Sequence, residues 1–168
     1  MIGAFYHPLA VFIDPMTLKT LPEREWLAGL AEVVKYGIIW DQEFYNYLED
    51  NRQVILEHHS DQLIAMIARC CEIKAEVVGQ DEREQGLRAI LNFGHTVGHA
   101  IELATNYQVF RHGEAVAIGM VAAVHLAVVL GHLDEQLGEQ IIADLAGWGF
   151  KTQLPDVAID QIIQGIGH

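Results

Sequence analysis

Residues 114–130 read EAVAIGMVAAVHLAVVL, and Glu114 is the only charged residue among them. A helix that is apolar on all sides is either buried in a protein core or spans a membrane. A polar His125 interrupts the segment, and no apolar run in the chain reaches the ~20 residues that a membrane span requires. The sequence therefore predicts a central buried helix at 114–130, with other helices packed around it.

The segments on either side of this helix also carry apolar residues at helical spacing. The first helix is expected to begin at residues 20–23, where Thr20 would cap it and Pro22 stands near the first turn. Ser60 is expected to cap a longer helix whose apolar stripe consists of Leu63, Ile64, Ile67, Ile73 and Val77. Further helices are predicted at 41–48, 87–103, 133–148 and 159–166.

Only the beginning of the chain has a β-like pattern. Residues 10–13, AVFI, form a short apolar run that Asp14 and Pro15 close, which predicts a strand entering a turn. The predicted fold class is mostly α: a bundle of about six to eight helices with a short N-terminal β fragment. The pattern divides the chain into a β segment at 1–20 and a helical domain at 21–168.

The composition limits the classes of partner. The chain has 168 residues and a formal net charge of −13 at pH 7. An acidic surface repels nucleic acids and anionic lipids, so we expect neither as a partner. We see no basic and apolar leader of the kind a signal peptide has. The only cysteines, Cys70 and Cys71, are neighbours on a predicted helix and point about 100° apart, which favours reduced thiols and the cytoplasm.

Residues 88–102, RAILNFGHTVGHAIE, have an unusual polar pattern. On a continuous helix, four of their side chains would lie within roughly 60° of one another: Arg88, Asn92, His95 and His99. A solvated face favours Lys and Glu and a buried face favours Leu and Val, so this mixture suits neither. Gly94 and Gly98 would each cost about 1 kcal/mol of helix stability, which suggests close approach by a backbone or a ligand.

Two histidines at positions i and i+4 can hold one metal ion, and a carboxylate is a common third ligand. The sequence offers Glu32 on the first helix and His112 at the start of a later one. Other interpretations stay open on spacing alone. His95 and His99 can share a face by chance, and Glu32 can form a plain ion pair with Lys35. A surface lysine, Lys74, can pair with the glutamates at 72 and 76.

Taken together, these segments resemble the 3-dehydroquinate synthase family over nearly the whole chain. Five motifs stand in the family's order and at its spacing. They are MIGAFY (1–6) with IDP (13–15), LPERE (21–25) with GLAEVVKYG (29–37), KAEVV (74–78) with DERE (81–84) and GLR (86–88), LNFGHTVGHAIE (91–102) and HGEAVAIGM (112–120). Each motif is moderately specific, and the ordered set is highly specific.

The resemblance implies that 1–20 is an inter-domain β segment and that 21–168 is a helical metal- and substrate-binding domain. It implies a metal ion, zinc or cobalt, held by Glu32, His95 and His112. It implies contacts to a phosphorylated sugar-acid substrate from Lys35, Lys74, Arg88, Asn92 and His99. It also implies that Thr17, Leu18, Lys19 and Thr20 touch an NAD molecule bound mainly by another domain. The family converts 3-deoxy-arabino-heptulosonate 7-phosphate to 3-dehydroquinate and phosphate in the shikimate pathway.

Family members carry an NAD-binding domain ahead of the part that this sequence matches, and further helices after it. We therefore expect these 168 residues by themselves to be inactive. The rival interpretations are another sugar-phosphate cyclase, an iron-dependent alcohol dehydrogenase and a non-catalytic metal-binding helical module. A homodimer is compatible with every one of them.

Overall fold

The structure is a computed structural model that describes residues 9–58, 60–81, 86–154, 156 and 159–166. These residues form eight α-helices and two 3-10 segments, and no strand occurs among them. The helices are α1 (Glu23–Ile39), α2 (Gln42–Asp50), α3 (Arg52–Leu56), α4 (Ser60–Gln80), α5 (His95–Ala104), α6 (His112–Val129), α7 (Glu135–Gly147) and α8 (Ile159–Ile166). The 3-10 segments are Pro15–Thr20 and Leu87–Asn92. The predicted helical bundle is confirmed.

Helix α6 is the centre of the bundle, as its apolar sequence predicts. It packs against α1, α5 and α7. By length and composition α6 could also cross a membrane, but 50% of that apolar window is buried inside the protein. Contacts on several sides explain why its residues need no polar face, and α6 is the core helix of the bundle.

The core has two parts. The larger part joins α1, α2, α4, α6 and α7 around fully buried side chains such as Leu30, Met120 and Trp148. A smaller cluster lies between α5, α6 and α8, with Ile101, Ile118 and Ile162 at its centre. The smaller cluster fastens α5 to α6, and both of these helices begin with a histidine.

Glycines set how closely α6 approaches its neighbours. A Cβ atom added at Gly119 would lie 1.9 Å from the carbonyl oxygen of Gly94, and one added at Gly98 would lie 3.2 Å from the backbone of Ala115. The backbones of α5 and α6 therefore touch directly. The costly glycines of the sequence are explained by this close crossing.

The predicted helix at 87–103 is broken in the structure, which corrects the sequence analysis. Residues Leu87–Asn92 form a 3-10 segment, and α5 begins only at His95. The break occurs at Gly94, whose φ of 79° is left-handed and incompatible with a continuing α-helix. The four polar residues from Arg88 to His99 consequently do not share one helical face.

Three smaller predictions were also wrong. Ala10–Ile13 forms no strand, because no other described segment pairs with it. Thr20 does not cap α1; its hydroxyl donates to the carbonyl of Thr17 at 3.3 Å, and Pro22 occupies the cap position. Ile64, which was predicted to lie on the apolar stripe of its helix, is 55% exposed, and Met66 on the same helix is buried instead. Residues 1–6 and 82–84 of the family-like motifs lie outside the described residues.

Candidate metal centre

Three histidine rings meet where the first turns of α5 and α6 face each other. His95 and His99 lie one turn apart on α5, with ring centroids separated by 5.4 Å. His112, the first residue of α6, places its ring 5.1 Å from that of His95 and 5.6 Å from that of His99. The close backbone crossing of α5 and α6 makes this approach possible.

Helix α1 adds a carboxylate to the cluster. Glu32 Oε1 lies 3.4 Å from Nε2 of His95 and 3.5 Å from Nε2 of His112. Tetrahedral ligands with bonds of ~2.0–2.2 Å to a zinc ion are separated from one another by about 3.4 Å. Glu32 Oε1 is also buried and has no hydrogen-bond partner. A buried carboxylate oxygen is costly without a donor or a cation, so this oxygen fits a metal ion.

A second possible ligand set consists of the three histidines, which bring one ring nitrogen each to within 4.8 Å of one another. This set is looser than the set that contains Glu32. In addition, the rings of His95 and His112 each have a hydrogen-bond partner at Nδ1. The geometry therefore favours Glu32, His95 and His112 as the ligands, with His99 beside them.

Hydrogen bonds orient the rings of His95 and His112. Nδ1 of His95 lies 3.2 Å from the carbonyl oxygen of Phe93, and Nδ1 of His112 lies 3.1 Å from Oε2 of Glu102. Both partners are acceptors, so each Nδ1 carries the proton and each Nε2 keeps its lone pair toward Glu32. Burial, together with the ammonium of Lys35, lowers the pKa of His95, which keeps that ring neutral and able to bind a metal.

The family comparison now adds to this geometry. Residues 29–168 match the family described as 3-dehydroquinate synthase C-terminal. The chain belongs to this family. A 3-dehydroquinate synthase of Thermodesulfovibrio yellowstonii is 56% identical over 155 residues, covering 92% of this chain and 43% of the relative. One from Synechocystis sp. is 48% identical over 171 residues, covering 100% of this chain and 47% of the relative. The chain thus spans less than half the length of these relatives.

Solved structures of related cyclases share the fold. The 2-epi-5-epi-valiolone synthase of Streptomyces hygroscopicus subsp. jinggangensis 5008, with NAD+ and Zn2+ bound, has a TM-score of 0.82 and 26% identity. The match covers 92% of this chain and 43% of the valiolone synthase chain. A 2-deoxy-scyllo-inosose synthase complexed with carbaglucose-6-phosphate, NAD+ and Co2+ has a TM-score of 0.83 and 31% identity. The match covers 100% of this chain and 46% of the inosose synthase chain.

Lys35, which the family resemblance assigns to substrate, is buried at 3% exposure. Its ammonium donates to Oε2 of Glu32 at 2.7 Å and to the carbonyl oxygen of Leu91 at 2.7 Å. The carboxylate of Glu32 therefore makes both interactions. Its Oε2 pairs with Lys35, and its Oε1 faces His95 and His112. Two of the three ammonium hydrogens are used in these contacts.

The other residues that the family resemblance assigns to substrate contact lie on neighbouring elements. Arg88 and Asn92 are on the 3-10 segment that precedes α5, and Lys74 is exposed on α4, which packs against that segment. Asn92 also lines a largely apolar cavity of about 830 Å³ whose walls include none of the three candidate metal ligands. Thr17, Leu18, Lys19 and Thr20 lie on the first 3-10 segment, and all but Leu18 are exposed.

Glu102 is the residue at this site that sequence reasoning gave no role. It is 8% exposed and is one of two charged residues that are buried among those described. The signal in the sequence was a carboxylate between Ile101 and Leu103 on a helix that carries two histidines. Spacing could not have connected it with His112, because a loop separates the two residues.

Proposed function

We propose that this chain is the metal- and substrate-binding part of a 3-dehydroquinate synthase. This lyase would convert 3-deoxy-arabino-heptulosonate 7-phosphate to 3-dehydroquinate and phosphate with NAD and a divalent metal, zinc in the first place. The observation that supports the proposal most is the triangle of Glu32 Oε1, His95 Nε2 and His112 Nε2, with distances of 3.4 and 3.5 Å from the carboxylate oxygen. Family membership and identities of 48–56% to proteins of that name support it further.

The roles of the side chains follow from their chemistry. A metal ion held by Glu32, His95 and His112 would polarise a carbonyl group and acidify a hydroxyl group of the substrate. Lys35 binds Oε2 of Glu32, which leaves Oε1 directed at the histidines. His99 is exposed beside the cluster, where it can hold a substrate hydroxyl or carry a proton.

A phosphorylated substrate requires cations, and the chain has only 10 Lys and Arg residues against 23 Asp and Glu. We propose that Lys74 and Arg88 bind the phosphate and that Asn92 binds a substrate oxygen. NAD would be bound mainly by another domain, with contacts from Thr17, Leu18, Lys19 and Thr20. The pathway would be the shikimate pathway, in the cytoplasm.

Val11 and Phe12 are 70% and 95% exposed, and an exposed apolar surface of this kind favours association between chains. We therefore also propose a homodimer.

The metal site can be tested on the chain itself. We expect the chain to bind one Co2+ ion with a tetrahedral visible absorption spectrum, and His95→Ala to abolish that spectrum. His125→Ala is the matched control, because His125 is an exposed histidine on the same bundle, on α6. The proposal would be overturned by a chain that binds no ion, or by equal binding in the His95 and His125 variants.

The reaction requires a test of its own, with the intact enzyme. Phosphate release from the heptulosonate phosphate would support the proposed substrate. A second candidate is another sugar-phosphate cyclase, which the similarity to 2-epi-5-epi-valiolone and 2-deoxy-scyllo-inosose synthases favours. Turnover of a substrate of those enzymes, without turnover of the heptulosonate phosphate, would decide for the second candidate.

A further inference from the structure

The first three residues of α6 make three successive contacts with α1. Residues 114, 113 and 112 contact residues 24, 28 and 32 in that order. Positions that recur every four residues form a line along one side of a helix. The last contact on this line is the pair Glu32 and His112, which are both candidate metal ligands.

The contact farthest from the metal centre is a two-pronged ion pair. Arg24 Nε donates to Glu114 Oε1 at 2.9 Å, and Arg24 Nη2 donates to Glu114 Oε2 at 2.6 Å. The same Nη2 donates to the carbonyl oxygen of Val109 at 2.7 Å. Glu114 also accepts from the backbone N–H of Arg111 at 2.8 Å, which joins the pair to the first turn of α6. A planar guanidinium bound in this way fixes orientation as well as distance.

The middle contact leaves no room for adjustment. A Cβ atom added at Gly113 would lie 1.8 Å from the carbonyl oxygen of Ala28. The two helices touch here backbone to backbone, so the contact acts as a pivot. A pivot alone permits rotation, and a second fixed point is needed to set the angle at which α6 starts.

We propose that Arg24 is a positioning residue for the metal centre: by clamping Glu114, it sets the distance between Glu32 Oε1 and His112 Nε2. Arg24 lies eight positions before Glu32, or about 12 Å along α1, so it acts without touching the ion. This inference rests on the proposed metal site. It assigns a role to Arg24, whose ion pair with Glu114 would otherwise be a surface contact that contributes little to the stability of the fold.

The sign of the effect separates positioning from simple electrostatics. Removing a cation near a site that binds a metal cation should strengthen binding or leave it unchanged. Loss of a positioning contact should weaken binding. Arg111 is a matched control because its Nε contacts Glu25 on the same α1 at 2.6 Å, outside the line of contacts. Arg69 is a second control, since it binds Asp41, Glu72 and Glu76 on other parts of the bundle.

The experiment is a Co2+ titration of the chain against a competing chelator, with the visible spectrum recorded at saturation. We expect Arg24→Ala to raise the Kd about tenfold or more and to alter the spectrum, in line with other residues that orient metal ligands. Arg24→Lys should give an intermediate Kd, because it keeps the charge and loses the second prong. The variants Arg111→Ala and Arg69→Ala should keep the Kd and the spectrum of the unchanged chain.

Each outcome decides the matter. An Arg24→Ala variant with the Kd and spectrum of the unchanged chain overturns the proposal, as does an equal loss in Arg111→Ala. If Arg24→Ala does not fold, Arg24→Lys decides by the same criterion. Failure of the unchanged chain to bind Co2+ overturns the proposed metal site itself, which is a distinguishable result.

Discussion

At the level of single residues, the buried carboxylate of Glu102 is hydrogen-bonded to the imidazole ring of His112. Glu102 Oε2 accepts a hydrogen bond from Nδ1 of His112, and this bond turns Nε2 toward Glu32. Such outer carboxylates raise the basicity of a histidine ligand and hold its ring in place. Glu102 therefore belongs to the proposed site although it touches no ion.

We expect Glu102→Gln to weaken Co2+ binding by about 10–100-fold, the range typical of lost outer partners. The amide keeps the size of the side chain but loses the charge that favours the Nδ1 proton. Chelator competition provides the measurement, and Glu139→Gln on the exposed side of α7 is the control. An unchanged Kd in the Glu102 variant would contradict this role.

The adjacent cysteines provide a second prediction at the residue level. Burial, with Cys71 as a neighbour, raises the pKa of Cys70 to about 12, whereas Cys71 is exposed. The thiolate is the reactive form, so Cys70 should react slowly near pH 8. We expect iodoacetamide to label Cys71 first in the folded chain. Mass spectrometry of the Cys71→Ser and Cys70→Ser variants measures this, and rapid labelling of Cys71→Ser would show that the prediction is wrong.

At the level of the helices, the close crossing of α5 and α6 holds the histidines together. A methyl group at position 119 would overlap the carbonyl oxygen of Gly94, since the added Cβ would lie 1.9 Å away. Helix backbones cannot yield to such an overlap without separating. The crossing is therefore a rigid part of the proposed site.

We expect Gly119→Ala to lower the free energy of unfolding by about 3 kcal/mol or more, at the upper end of overpacking effects. Gly29→Ala is the matched control on α1, where an added Cβ meets nothing within 4 Å. That control should gain about 0.5–1 kcal/mol, because alanine favours the helix. Urea denaturation of both variants tests the pair of values, and equal stability of the two would refute the role of the crossing.

At the level of the whole molecule, the candidate ligands come from three helices that also form the core. Glu32 is on α1, His95 on α5 and His112 on α6. An ion that binds only this arrangement stabilises the folded state as a unit. Metal binding and the stability of the bundle should consequently be linked.

We expect zinc at about 100 times its Kd to add about 2.7 kcal/mol to the free energy of unfolding, and a chelator to remove this gain. His95→Ala should show no zinc-dependent shift of Tm, whereas His125→Ala should keep it. Thermal unfolding followed by circular dichroism measures the shift. An identical zinc-dependent shift in both variants would mean that the ion binds elsewhere.

Local patterning is sufficient to predict most of the helices and the buried α6, since apolar spacing and near absence of charge depend on neighbours along the chain. The candidate metal set of Glu32, His95 and His112 came instead from the resemblance to the family, because spacing alone left a plain ion pair and a chance pairing of histidines open. Local patterning failed at 87–103, where the cost of Gly94 was noticed but not the left-handed turn that the glycine permits. Capping at Thr20 failed because the preceding 3-10 segment uses that hydroxyl.

Only the tertiary structure decided which side chains meet. Glu32 and His112 are far apart in sequence, and their distance depends on Gly113 resting on Ala28 and on Arg24 binding Glu114. The roles of Glu102 and Lys35 as orienting groups likewise appear only when α1, α5 and α6 are in contact. Periodicity carries information about one helix at a time, whereas a metal site depends on the rotation and separation of several helices, which close packing between them determines.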